Sequence, residues 1–211
     1  MKSIFCLIAL SLPLSAAVTF SLPGTTEKST WILNNSNYPS ATYRAFGTAD
    51  QPWGAPAAPT SGNSSALFDK TSGYGYMSGS GFMYTAGADG SFRIHDDSPI
   101  ASMQTLVFQG GISDGPTAEP VLNINGGSQA IPATYFAVLS GSPYPDRAWQ
   151  WDLSGISDPI TSYEILFSGH FAVTSLTVDA GSSFVQVIPE PSVGLLGIAA
   201  TGLTLIRRRR A

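Results

Sequence analysis

Apolar positions along the chain fall into two long runs at its ends and many short stretches between them. Ile4 to Leu12 is the first run and Ser192 to Ile206 the second. In between, strand-forming residues gather in segments 29–33, 42–46, 74–77, 81–84, 91–95, 102–108, 121–124, 134–139, 148–153, 162–167, 171–178 and 184–188. Turn signals separate them, among them Ala88-Asp89-Gly90, Gly110-Gly111, Asn125-Gly126-Gly127 and Ser140-Gly141-Ser142-Pro143. Three stretches reveal their faces. Trp149, Trp151 and Leu153 alternate with Gln150 and Asp152. Tyr163, Ile165 and Phe167 alternate with Ser162 and Glu164, with Leu166 on the polar side. Phe171 and Val173 are in one phase, Leu176 and Val178 in the other, so a β-bulge near Thr174-Ser175 is needed to put all four on one face. Ser168-Gly169-His170 then reads as a hairpin turn. Many short strands without a helical stretch predict an all-β sandwich or barrel over residues 18–188, and the reading adopted is an antiparallel β-sandwich. Residues 49–66, rich in Pro, Ala, Gly and Ser, read as a long surface loop with Trp53 inside it.

The N-terminal run follows one lysine, Lys2, and ends at Pro13-Leu14-Ser15-Ala16-Ala17. A positive start, a short apolar core and a small-residue site make residues 1–17 a secretory signal peptide, a helix cleaved after Ala17. The alternative is a buried first helix, and Pro13 argues against it by breaking the run. The single cysteine, Cys6, lies inside this segment and lacks the small-residue box of a lipoprotein signal. The exported body therefore carries no thiol and no disulfide.

At the other end, Pro189-Glu190-Pro191 precedes the uncharged segment 192–206, and Arg207, Arg208, Arg209 and Arg210 follow it. Fifteen helical residues span about 22 Å, short of the roughly 20 residues of a comfortable span. Arginine snorkelling and local thinning can cover the difference. Four arginines hold that end in the cytoplasm, which agrees with export of the body. The two prolines keep the stem extended and remove two backbone donors.

This order of motif, short transmembrane helix and Arg tail resembles the PEP-CTERM sorting signal of exopolysaccharide-producing bacteria. The resemblance covers residues 189–211. It implies an exosortase-like processing enzyme as partner, a transient stay in the inner membrane, and delivery to the cell surface or its polysaccharide matrix. The plainer alternative is a single-pass anchor on a Pro-containing stem. The pattern from Trp149 to Val178 also resembles, loosely, the last strands of jelly-roll-like bodies that carry this signal.

Charge changes the picture of the body. The whole chain has a net charge of −4, with 11% charged residues. Within residues 18–188 only Lys28, Arg44, Lys70, Arg93 and Arg147 are basic, against thirteen acidic residues, a net charge near −8. Such a body does not neutralise phosphates, so nucleic acid is excluded as a partner.

Candidate chemistry is sparse. His95-Asp96-Asp97 offers metal-ligating or acid/base groups, but at a strand end before Ser98-Pro99 the carboxylates read better as turn caps. His170 reads as a turn residue. No zinc spacing, calcium loop or nucleophile elbow is present, so no metal, cofactor or catalytic residue is assigned. Trp149 and Trp151 share a strand face and read as core. Tyr144, between two prolines, and Trp53 remain as candidate glycan contacts. The sequence thus describes an exported, non-enzymatic surface or matrix protein with a structural or adhesive body. A carbohydrate-binding module is the alternative, and a secreted polysaccharide hydrolase using His95, Asp96 or Asp97 is the more remote one.

Overall fold

The computed structural model describes residues 20–113, 116, 119–139 and 145–189. The signal segment with Ala17, Tyr144, the Glu190-Pro191 half of the motif, the helix expected at 192–206 and Arg207 to Arg210 lie outside them.

The described chain is all-β, two antiparallel sheets consistent with a β-sandwich. The strands are β1 (Thr26–Ile32), β2 (Ser61–Gly62), β3 (Leu67–Gly73), β4 (Tyr76–Met77), β5 (Met83–Tyr84), β6 (Gly90–Asp96) and β7 (Thr105–Ile112). They continue as β8 (Val121–Ile124), β9 (Ile131–Pro132), β10 (Tyr135–Val138), β11 (Asp146–Asp152), β12 (Tyr163–Gly169) and β13 (Ala172–Gly181). One helical turn, α1, covers Ser40–Tyr43. The larger, eight-stranded sheet runs β10-β11-β7-β13-β1-β2, with β5 also on β13 and β4 on β5. The smaller runs β3-β6-β12-β8-β9.

Alternation decides which side chains enter the core. Trp149, Trp151 and Leu153 of the β11 stretch are buried there, as are Tyr163, Ile165 and Phe167 of β12. The bulge in β13 is present: its pairing with β7 shifts between Val173 and Leu176. Phe171, Val173, Leu176 and Val178 all reach the core as a result. Gly110 and Gly111, expected as a turn, instead lie inside β7. A Cβ on Gly110 would sit 2.8 Å from both Leu176 Cδ2 and Ser175 O, so the bulge needs a glycine opposite it.

Four further expectations are corrected. Residues 168–170 are no hairpin turn: β12 pairs with β6 and β8, whereas β13 pairs with β1, β5 and β7, so this link carries the chain from one sheet to the other. Phe171 anchors the crossing. Its N–H donates to Thr85 Oγ1 at 2.7 Å, and its carbonyl accepts from Thr85 N–H at 3.1 Å. Residues 42–46 form the end of α1 and a turn rather than a strand. Residues 184–188 do not join a sheet; they lie along the outer face of the larger one. Residues 49–66 are no simple surface loop, because Trp53, Ala57 and Ala66 are buried and Ala57 bridges to Phe68 of β3.

Both ends of the described body rest on the same face, the side of the larger sheet turned away from the core. Gln109 of β7 accepts the N–H of Phe20 at 3.0 Å and donates to its carbonyl at 2.7 Å. Asp179 of β13 accepts the N–H of Leu22 at 3.0 Å. Gln150 of β11 donates to Val185 O at 2.6 Å and accepts from Val187 and Ile188 N–H at 3.0 and 3.1 Å. Each glutamine side chain does for its terminal segment what a neighbouring strand would do.

Candidate functional site

A cluster of half-buried aromatic side chains with one exposed ring, Phe46, sits at one end of the larger sheet. The short β4–β5 hairpin builds it. Met77 and Met83 pair across the hairpin and point into the core. Tyr76 and Tyr84 pair on the opposite face, with ring centroids 6.2 Å apart and edge to face. Phe82 packs against Tyr84 at 6.1 Å, and His170 at 5.8 Å. On the other side Phe46 meets Tyr76 edge-on at 5.7 Å. Phe46 is 74% exposed, the most exposed large hydrophobic side chain among the described residues. Burial and the neighbouring Tyr84 push the Tyr76 hydroxyl above its ordinary pKa.

Beside these rings lies a cavity of about 360 Å3, lined by Phe46, Gly47, Ala49, Asp50, Tyr74, Ala86 and Gly87. Its volume lies in the range of about 300–1,000 Å3 typical of small-ligand pockets. Its character is also typical: mostly apolar surface, a tyrosine and one carboxylate.

The walls are held from below. Lys70 of β3 points inward and is buried, and its ammonium donates to Ala49 O at 2.6 Å and to Gln51 O. Burial lowers its pKa to about 8; Asp50 opposes that shift and Arg44 adds to it. Gly75 N–H donates to Ala49 O at 2.9 Å, and Trp53 Nε1–H donates to Gly75 O at 3.0 Å. Arg44, in the left-handed region at φ 58°, donates from Nε to Pro52 O at 3.0 Å. The turn bearing Phe46 is therefore tied at several points to the core beneath it.

Trp53 stands in that core. It is 8% exposed, with Tyr43, Phe68 and Phe92 around its ring at 5.3, 5.2 and 6.0 Å. Enclosed in this way, the ring has no face open to a sugar. Trp149 and Trp151 are core residues as expected; their indole N–H groups donate to Glu119 Oε2 and to Ile131 O.

Asp96 does cap its turn. Its Oδ1 accepts from Ser98 N–H at 3.0 Å and from Ser65 Oγ at 2.7 Å. Asp97 is exposed, and His95 points to the opposite side of β6 from Asp96. The triplet thus converges on no common point. Among the described residues no group of three His, Cys, Asp or Glu side chains could hold a metal ion. His170 is exposed and lies 3.5 Å from the Tyr84 hydroxyl. On the outer face of the smaller sheet Arg93 bridges Asp69 at 3.4 Å and Glu164 at 3.3 Å.

Comparison of the chain with protein-family models, with curated proteins and with solved structures finds no match in any of the three. No helix among the described residues is long and apolar enough to cross a membrane.

Sequence reasoning missed Phe46, Tyr74, Tyr76 and Tyr84 as a group. A signal was present: Gly73-Tyr74-Gly75-Tyr76 and Gly81-Phe82-Met83-Tyr84 put rings beside glycines in two neighbouring segments. Glycine lets backbone approach closely. A Cβ on Gly75 would lie 2.7 Å from the Phe92 ring. Aromatics carried on such close-packed backbone have limited room to turn inward.

Proposed function

We propose that the protein is an exported bacterial surface or matrix protein, delivered by its signal peptide and by a PEP-CTERM-like tail. An exosortase-like enzyme processes it after a transient stay in the inner membrane. Its body is a jelly-roll-like sandwich that is adhesive rather than catalytic, and its partner is extracellular polysaccharide. Successive strands β11, β12 and β13 alternate between the two sheets, as a jelly roll requires.

The observation that carries this reading is the handover at residues 188–189. Ile188 is fully buried and its N–H is held by Gln150, while Pro189 is exposed. The last buried residue described is thus Ile188, and the first residue of the Pro-Glu-Pro motif lies outside the core. A processing enzyme that grips the motif would meet Pro189 outside the core, and removal of everything after the motif would cost the body none of its contacts with Gln150.

The test is fractionation of the native host carrying either the wild-type chain or a variant with Arg207 to Arg210 replaced by alanine. The proposal expects processed wild-type protein at the surface and in the matrix, and loss of both processing and surface yield in the variant. Equal processing and surface yield for both chains would overturn it.

A further inference from the structure

We infer that the cavity beside Phe46 is a binding site for an uncharged hexopyranose ring, the point at which the body takes hold of a polysaccharide. This rests on the adhesive reading above and assigns it a place and a ligand class.

Three observations converge. The first is the exposure of Phe46. A single exposed apolar side chain is ordinary, but this one is carried on a turn fixed by Lys70, Gly75 and Arg44, and its edge is set against Tyr76. Burying a Phe side chain is favourable, and the free protein forgoes that gain. The ring is positioned, and its exposed surface is available to a ligand.

The second is the chemistry of the walls. Phe46 and Tyr74 present ring surface, and Asp50 presents an acceptor at the rim of the same cavity. A pyranose has the matching make-up, an apolar C–H face and a rim of hydroxyl donors. A nucleobase matches the rings, but it comes with a phosphodiester that an acidic body repels. A long apolar chain would make no use of the Asp50 acceptor.

The third is charge. Lys70 and Arg44, the cations beside Asp50, are not among the lining residues and donate instead to the Ala49, Gln51 and Pro52 carbonyls. The one charged side chain lining the cavity is Asp50. Among the lining residues a uronate ring finds a carboxylate and no cation, whereas a neutral ring finds a hydrogen-bond acceptor.

The experiment is calorimetric titration of the full chain, purified from the host, with short β-glucan, mannan and galactan oligosaccharides and with a polygalacturonate oligosaccharide. The inference expects at least one neutral oligosaccharide to bind, the uronate to bind at least tenfold more weakly, and Phe46→Ala and Asp50→Ala each to lower affinity about tenfold or more. The thermal midpoint of Phe46→Ala stays that of the wild type. Binding that both variants leave within twofold would place the sugar elsewhere, overturning the inference and sparing the adhesive reading. Preference for the uronate would overturn the ligand class. No binding to any neutral probe would overturn the inference; if wild-type protein is also absent from the matrix fraction, the adhesive reading falls with it.

Discussion

The side-chain carbonyl of Gln150 accepts the backbone N–H of Ile188 at 3.1 Å, joining residues 38 positions apart. The same side chain holds Val187 and Val185, so one glutamine fixes three backbone groups of the last described segment. Gln150 is itself fully buried. Gln150→Leu keeps the bulk and removes all three bonds. We expect a loss of about 2 kcal/mol, since leaving buried polar groups unpaired costs about 1–3 kcal/mol each and the released segment recovers part of that from water. Hydrogen exchange will show faster loss of protection at Val187 and Ile188, with β12 amides unchanged.

Phe46 and Trp53 lie seven residues apart and make opposite predictions. Trp53→Ala empties a core position and should cost about 3–5 kcal/mol. Phe46→Ala removes a side chain that is 74% exposed, and stability should stay within about 0.5 kcal/mol. Urea unfolding of the two variants separates the core aromatic from the surface one.

Gly90 supports the site from below. A Cβ there would lie 1.9 Å from the Tyr74 carbonyl oxygen, a backbone atom that no rotamer change can move. Gly90→Ala should therefore cost about 1–3 kcal/mol or more through overpacking and push Tyr74 out of the cavity wall. Calorimetry should show a lower thermal midpoint together with weakened oligosaccharide binding, whereas Phe46→Ala changes only the binding.

Lys70 sets a pH dependence. Its amine titrates near 10.5 when the chain is unfolded and, because of burial, near 8 in the fold. Between these values the unfolded chain holds the extra proton, so the contribution of Lys70 makes stability rise as pH climbs from about 8 to about 10.5. Below pH 8 both states are protonated and the contribution is flat. Lys70→Met should abolish that rise. Denaturant midpoints of wild type and variant measured across this window decide it.

The parts of the fold legible in the sequence were those governed by alternation. Trp149, Trp151 and Leu153 declared their face because polar residues separate them, and the phase slip between Val173 and Leu176 declared the bulge. Alternation says which face is buried and not which sheet a strand joins, so the link at 168–170 read as a hairpin although it crosses between sheets. Strand β3 was hidden because one of its inward positions is Lys70, whose charge is met by carbonyls from residues 49 and 51. The same long-range contacts hid the role of Trp53. The aromatic site was illegible as a site because its rings come from a turn after α1, the approach to β4, and the β4–β5 hairpin. Phe46 and Tyr74 meet at the cavity and the hairpin rings pack beside it, on backbone whose close approach needs Gly75 and Gly90.

The account rests most heavily on the claim that the chain is exported and processed where the fold releases it. C-terminal peptide mass spectrometry on protein from the surface and medium fractions of the native host tests this directly. The account predicts a mature chain that retains Ile188 and ends near Pro189-Glu190-Pro191, without the arginine tail. Mature surface protein with an intact terminus at Ala211 would contradict it.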